Sequence, residues 1–183
     1  MKNGYEATTL SLIVKELKIS KGALYHYFTT KEECADAAVA LCSNDCYEKV
    51  IGQIDDNFPT ETNFKNLILA CSDLFKDNEK SLENINTPSN AVFHQKLMAA
   101  LVKSLAPIYA KVIAQGIQDK TFKTEYPLET AQMILTLTNF YFDADLFGWE
   151  PQEMPAKLKA FDGFLTNALE AKPGFFSFLH DFG

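Results

Sequence analysis

Apolar residues recur along this chain at intervals of three and four, the period of an amphipathic helix. Leu10, Ile13, Val14 and Leu17 predict a short helix from Thr9 to about Leu17. Thr8 or Thr9 suits its start, because a hydroxyl accepts a hydrogen bond from a first-turn amide. After a break at Lys18-Ile19, Ser20 offers a second cap. Lys21–Phe28 then reads as a second short helix with Ile19, Leu24 and Phe28 inward. A long helix follows over Lys31–Ile54, with the stripe Ala35, Ala38, Val39, Cys42, Tyr47, Val50 and Ile54; Glu32 and Glu33 suit its positive end. Glu61–Asn78 carries Phe64, Leu67, Ile68, Cys71, Leu74 and Phe75 on one face. Ser81–Pro88 is polar and loop-like. Next come a helix over Ser89–Lys103 and another to Gln118, capped by Ser104 with Pro107 in its first turn. Asp119–Tyr126 is a connection. Pro127–Phe147 is apolar on nearly every side, which predicts burial on both flanks, and Ala156–Ala171 forms a last amphipathic helix.

Among the predicted elements there is no strand, repeat or low-complexity tract, so the fold class is all-α. The first two helices, short and joined by a tight turn, have the form of a helix-turn-helix. Composition (47% hydrophobic, 22% charged) is that of a soluble globular chain. Without a run of eighteen apolar residues or a basic, apolar leader, no membrane partner and a cytoplasmic location are expected. A net charge of −7 speaks against nucleic acid until its distribution is considered. Residues 1–31 balance to +3 and the rest to −10, a basic head on an acidic body that would approach DNA by one end. All 17 cationic side chains are lysines, so base readout cannot use the bidentate arginine–guanine pair.

Gly4-Tyr5, Thr8-Thr9, the run Ser20-Lys21-Gly22-Ala23-Leu24-Tyr25-His26-Tyr27-Phe28 and Lys31 stand in the order of a known signature. Over about its first 35 residues the chain resembles the TetR family of bacterial transcriptional repressors. The resemblance implies a helix-turn-helix DNA-binding domain over residues 1–35. It implies a larger all-α body over 36–183 that binds a small effector and dimerises through its last two long helices. Members carry a further helix before the Gly-aromatic pair, whereas only Met1-Lys2-Asn3 precede Gly4 here, so the reading domain is expected to be truncated at its N-terminus.

Lys21, Tyr25, Tyr27 and Lys31 resemble the family's contacts to double-stranded operator DNA, and Thr9 joins them at the mouth of the first helix. Lys21 and the Gly22 amide suit a phosphate or base edge, Ala23 a thymine methyl, and His26 projects from the same helix. Phe75, Phe93, His94, Tyr109, Phe140 and Tyr141 are the candidates for lining a small apolar or aromatic effector site. His94 is more often a satisfied core residue than a ligand. Cys42 and Cys46 lie one helical turn apart, but no Cys/His cluster completes a metal site, and buried free thiols are the expected state. The Phe-rich tail from Pro173 is too apolar to stand free and should pack on the body or across a dimer. No phosphate-cradling loop, nucleophile elbow or metal motif is present, so neither catalysis nor a cofactor is expected. The reading is a ligand-responsive, dimeric DNA-binding repressor; the alternative is a dimeric small-molecule-binding relative with a vestigial reader.

Overall fold

Hydroxyl caps open the first full helices. In the computed structural model, which describes residues 4–77 and 88–182, a one-turn α1 (Gly4–Ala7) precedes α2 (Leu10–Leu17). Thr9 Oγ1 accepts from the Leu12 amide at 3.2 Å, and α2 stops at Lys18, whose φ of 54° is left-handed. Ser20 Oγ accepts from the Ala23 amide at 3.1 Å to open α3, which spans only Lys21–Tyr25. The expected continuation to Phe28 is a turn. Of the residues expected inside, Leu24 is buried, but Leu17 is 62% and Ile19 39% exposed.

The long helix α4 (Lys31–Ile51) starts in a capping box. Thr30 Oγ1 accepts from the Glu33 amide, and the Glu33 carboxylate accepts from the Thr29 and Thr30 amides. Its buried line is Ala35, Val39, Ser43 and Val50, while Ala38 and Cys42 face solvent. The boundary expected at residue 35 falls inside this continuous helix, so reader and body share it.

The turn into α5 (Thr60–Asp77) is tied down by Asn63, which is fully buried. Its amide nitrogen donates to Asp55 O at 2.8 Å and to Gln115 Oε1 at 2.9 Å. Its oxygen accepts from the Asp55 amide at 3.2 Å, so no polar atom of this buried side chain is left unpaired.

One helix, α6 (Ala91–Gln118), replaces the two expected on either side of Ser104. Pro107 sits inside it and costs a backbone hydrogen bond. Burial of Leu105, Ala106, Ile108 and Tyr109 around Pro107 keeps the chain helical. Ser104 does not cap anything; its hydroxyl donates back to Leu101 O at 3.3 Å. By length and composition α6 could cross a membrane, but Leu97, Leu101, Leu105, Ile108, Val112 and Ile113 are at most 5% exposed. It is the central helix of the core, flanked by α4, α5 and α7.

The expected helix over Pro127–Phe147 is divided into α7 (Pro127–Tyr141) and the single turn α8 (Ala144–Phe147). Asp143 caps α8 through the Leu146 amide at 3.0 Å, and Trp149 Nε1 donates to Tyr141 O at 2.8 Å, closing the end of α7. The last helix, α9 (Met154–Ala168), starts two residues before and ends three residues before the expected span. The Phe-rich tail folds back onto the body. Phe176 is fully buried, and its ring meets those of Phe64 (5.1 Å) and Phe122 (6.0 Å). His180 pairs with Asp162 of α9 at 3.1 Å.

Burial of α7 is one-sided within a single chain. Ala131, Ile134 and Leu135 are at most 2% exposed, yet Met133 and Phe140 are 58% and Leu137 37% exposed on the other side. Phe164 of α9 is also exposed.

Candidate nucleic-acid interface

Two helix starts face each other across an open groove of about 380 Å³. Thr9, Leu10 and Ser11 at the start of α2 form one wall, Thr30 and Lys31 at the start of α4 the other, and Tyr25 joins them. The Leu12 and Glu33 amides of these first turns already donate to the Thr9 and Thr30 hydroxyls, and both helix dipoles present a positive end here. Glu6 and Glu32 also line the groove, so two carboxylates offset that positive polarity.

Beside it, α3 turns one face to solvent. Lys21, Gly22 and Ala23 are exposed, Tyr25 is 46% exposed, and only Leu24 is buried. His26 and Tyr27 lie in the turn after α3, not on it; their rings meet edge to face at 5.0 Å, and Tyr27 is 75% exposed. A Cβ on Gly22 would meet nothing within 4 Å. Packing within the chain does not require glycine there, whereas close approach of another backbone would.

Lys31 has a different position from the one its place in the signature implies. Its ammonium donates to Tyr5 O at 3.1 Å and Glu6 O at 3.2 Å, and lies 4.4 Å from the centre of the Tyr5 ring. The charge is spent on the last carbonyls of α1, binding that turn to α4. Tyr5 and Gly4 are the residues that sequence reasoning left without a role. Tyr5 is 6% exposed, and its hydroxyl donates to Glu32 Oε1 at 3.2 Å. Burial, with the neighbouring Glu32 carboxylate, raises its pKa. Gly4 has φ +75°, and a Cβ there would fall 2.5 Å from Ser89 Cβ. The glycine of the Gly-aromatic pair lets α1 lie against Ser89, just before the start of α6. That the pair stands four residues before the Thr9 cap of α2 was the available signal.

Of the residues proposed to line an effector site, Phe93 and Tyr109 lie far apart. Phe93 and Tyr109 sit on one helix sixteen positions apart, about 24 Å at 1.5 Å per residue. Tyr109 is fully buried, with its hydroxyl 3.4 Å from Cys71 Sγ, and burial pushes its pKa well up. Phe64, Phe122 and Phe176 complete a filled aromatic centre around it. His94 is half-buried and faces Asp143 at 3.7 Å. Phe140 and Tyr141 belong to a different cluster with Phe147 and Trp149, where the Lys157 ammonium lies 3.6 Å from the Trp149 ring centre. The side chain of Phe75 lies outside the described residues. All four cysteines are free, and burial raises the pKa of each thiol, which disfavours thiolate chemistry. Among the described residues no group of His, Cys, Asp and Glu could hold a metal ion.

Comparison with known proteins agrees with this layout. Residues 1–38 match the family described as bacterial regulatory proteins, tetR family. Residues 73–164 match the family described as Tetracyclin repressor-like, C-terminal domain. The chain belongs to the TetR family. Two relatives add detail to the TetR assignment. The chain is 26% identical over 166 residues to the HTH-type transcriptional regulator YhgD of Bacillus subtilis, covering 88% of this chain and 84% of that one. Over 57 residues, 31% of each protein, it is 35% identical to the biofilm operon icaADBC HTH-type negative transcriptional regulator IcaR of Staphylococcus epidermidis. As a TetR protein the chain is a DNA-binding transcription regulator of all-α fold, not an enzyme.

Proposed function

We propose that this TetR protein is a cytoplasmic, dimeric repressor that releases its operator on binding a small effector. The observation that carries the DNA half is the pairing of the exposed α3 face with the groove between the starts of α2 and α4. In this reading a backbone phosphate meets the Thr9 hydroxyl and Tyr25 at the mouth of the groove. Lys21 and Tyr27 reach neighbouring phosphates, while Ala23 and His26 face base edges. Lys31 acts by position, holding α1 and hence the neighbouring α2 wall at the right distance from α4.

The dimer half rests on the exposed apolar row Met133, Leu137 and Phe140 beside Phe164 of α9. Pairing two such helices from each copy makes a four-helix bundle and spaces two readers for successive turns of one DNA face. Light scattering should show a dimer at micromolar concentration, and Leu137→Lys should give a folded monomer. For DNA, duplexes selected from a random library by the wild type should bind far less to Gly22→Leu, while the melting temperature stays within a few degrees. Equal binding by Gly22→Leu would remove α3 from the interface; no selectable duplex at all would refute the repressor reading.

A further inference from the structure

We propose that the groove between α4 and α6 is the effector site and that its ligand is an amphiphilic anion with a medium-length apolar chain, such as an alkyl carboxylate. The claim that its occupancy controls DNA binding rests on the function proposed above; the site itself does not. The groove holds about 560 Å³. Asp36 of α4 pairs with Lys96 of α6 at one end, and from that pair the lining runs up both helices in the same direction, to Ser43 on α4 and to Lys103 and Ser104 on α6. Seven residues of helix make it about 11 Å long. Its middle is apolar, with Val39 and Ala100 at the floor and the exposed Ala40 and Ala99 at the rims.

Charge decides what fits. The one acid lining the groove is Asp36, already neutralised by Lys96. At the far end Lys103 is exposed and has no ion pair among the described residues. Beside it lie two hydroxyls, Ser43 donating to Ala40 O at 3.2 Å and Ser104 to Leu101 O at 3.3 Å. Both protons are held by carbonyls of their own helices and can rotate toward an acceptor. The groove is thus net positive although residues 32–183 together carry −10. A cationic amphiphile would meet Lys103, and an inorganic anion would leave the floor uncovered; an anion with a tail satisfies both. An occupant wedges α4 from α6, and α4 starts at the groove of the reader. By this route occupancy changes how the reader is presented to DNA.

The test is calorimetric titration of the full chain with sodium decanoate, decanol and decyltrimethylammonium, each below its micelle concentration. Decanoate should bind once per chain, decanol more weakly, and the cation not measurably. Lys103→Glu, a surface change that leaves the fold intact, should weaken decanoate at least tenfold and leave decanol unchanged. Ala99→Phe should abolish binding of both. Absence of decanoate binding, equal binding of the cation, or indifference to both variants would overturn the site. Titrating a selected duplex in the presence of decanoate then separates the two claims. Decanoate that binds without lowering DNA affinity refutes the control step alone. A protein that binds decanoate but no duplex refutes the repressor reading and leaves the site standing.

Discussion

Lys31 and Lys21 should respond differently when each is neutralised, because their charges are spent on different partners. Lys31 makes two charge-assisted hydrogen bonds to the carbonyls of α1 and lies against the Tyr5 ring, half-buried. With solvent screening, these contacts together contribute roughly 2 kcal/mol. At about 2–4 °C per kcal/mol for a chain of this size, Lys31→Met should lower the melting temperature by about 4–8 °C. Lys21 is exposed on α3, so Lys21→Ala should leave the melting temperature within about a degree or two. In DNA binding the order of effects reverses. Each phosphate contact contributes about −0.9 to the slope of log K against log salt concentration. Losing Lys21 from both subunits of a dimer should flatten that slope by about 1.8. Losing Lys31 should weaken binding by a factor that does not change with salt, because no counterion is released through it. Fluorescence anisotropy of one selected duplex at five or six salt concentrations measures both slopes. A Lys31→Met slope as flat as that of Lys21→Ala would show that the ammonium leaves α1 for a phosphate, and the positioning argument would fail.

Gly4→Ala places a methyl 2.5 Å from Ser89 Cβ at a left-handed φ, so a loss of about 1–3 kcal/mol is expected in urea denaturation, whereas Gly22→Ala, with open space around it, should lose nothing. Phe64→Ala empties the centre shared with Tyr109, Phe122 and Phe176 and should cost about 3–5 kcal/mol, read from the same denaturation midpoints. Glu33 has its pKa lowered from 4.5, chiefly by the hydrogen bond from the Thr29 amide. A depressed carboxylate stabilises the fold above its unfolded pKa and loses that contribution as pH falls through the folded value. Amide exchange at Thr29 and Thr30 should therefore accelerate below about pH 4.5 relative to unstructured peptide. Glu33→Gln should remove that pH dependence.

Local chemistry explains how much could be read without coordinates. Thr9, Ser20 and Thr30 are hydroxyl caps whose partners lie three residues on, so nothing distant has to be known to place the starts of α2, α3 and α4. The order of typed residues from Gly4 to Lys31 carried the family, and the uneven charge carried the end of the molecule that meets DNA. Helix ends and internal breaks were legible only where a local signal governs them. Pro107 reads as a helix start in sequence; only burial on both sides of it, supplied by the core, keeps α6 unbroken. Phe142 and Asp143 carry no obvious stop, and α7 ends there because Trp149 donates to Tyr141 O and Asp143 caps the next turn. Site residues divide in the same way. The exposure of Lys21, Gly22 and Ala23 follows from a short capped helix with one buried leucine. The burial of Tyr109, the separation of Phe93 from it and the diversion of Lys31 to α1 depend on contacts between residues far apart in the chain. Periodicity shows which face of a helix is apolar, but it does not show what that face will meet, and that is decided by tertiary packing.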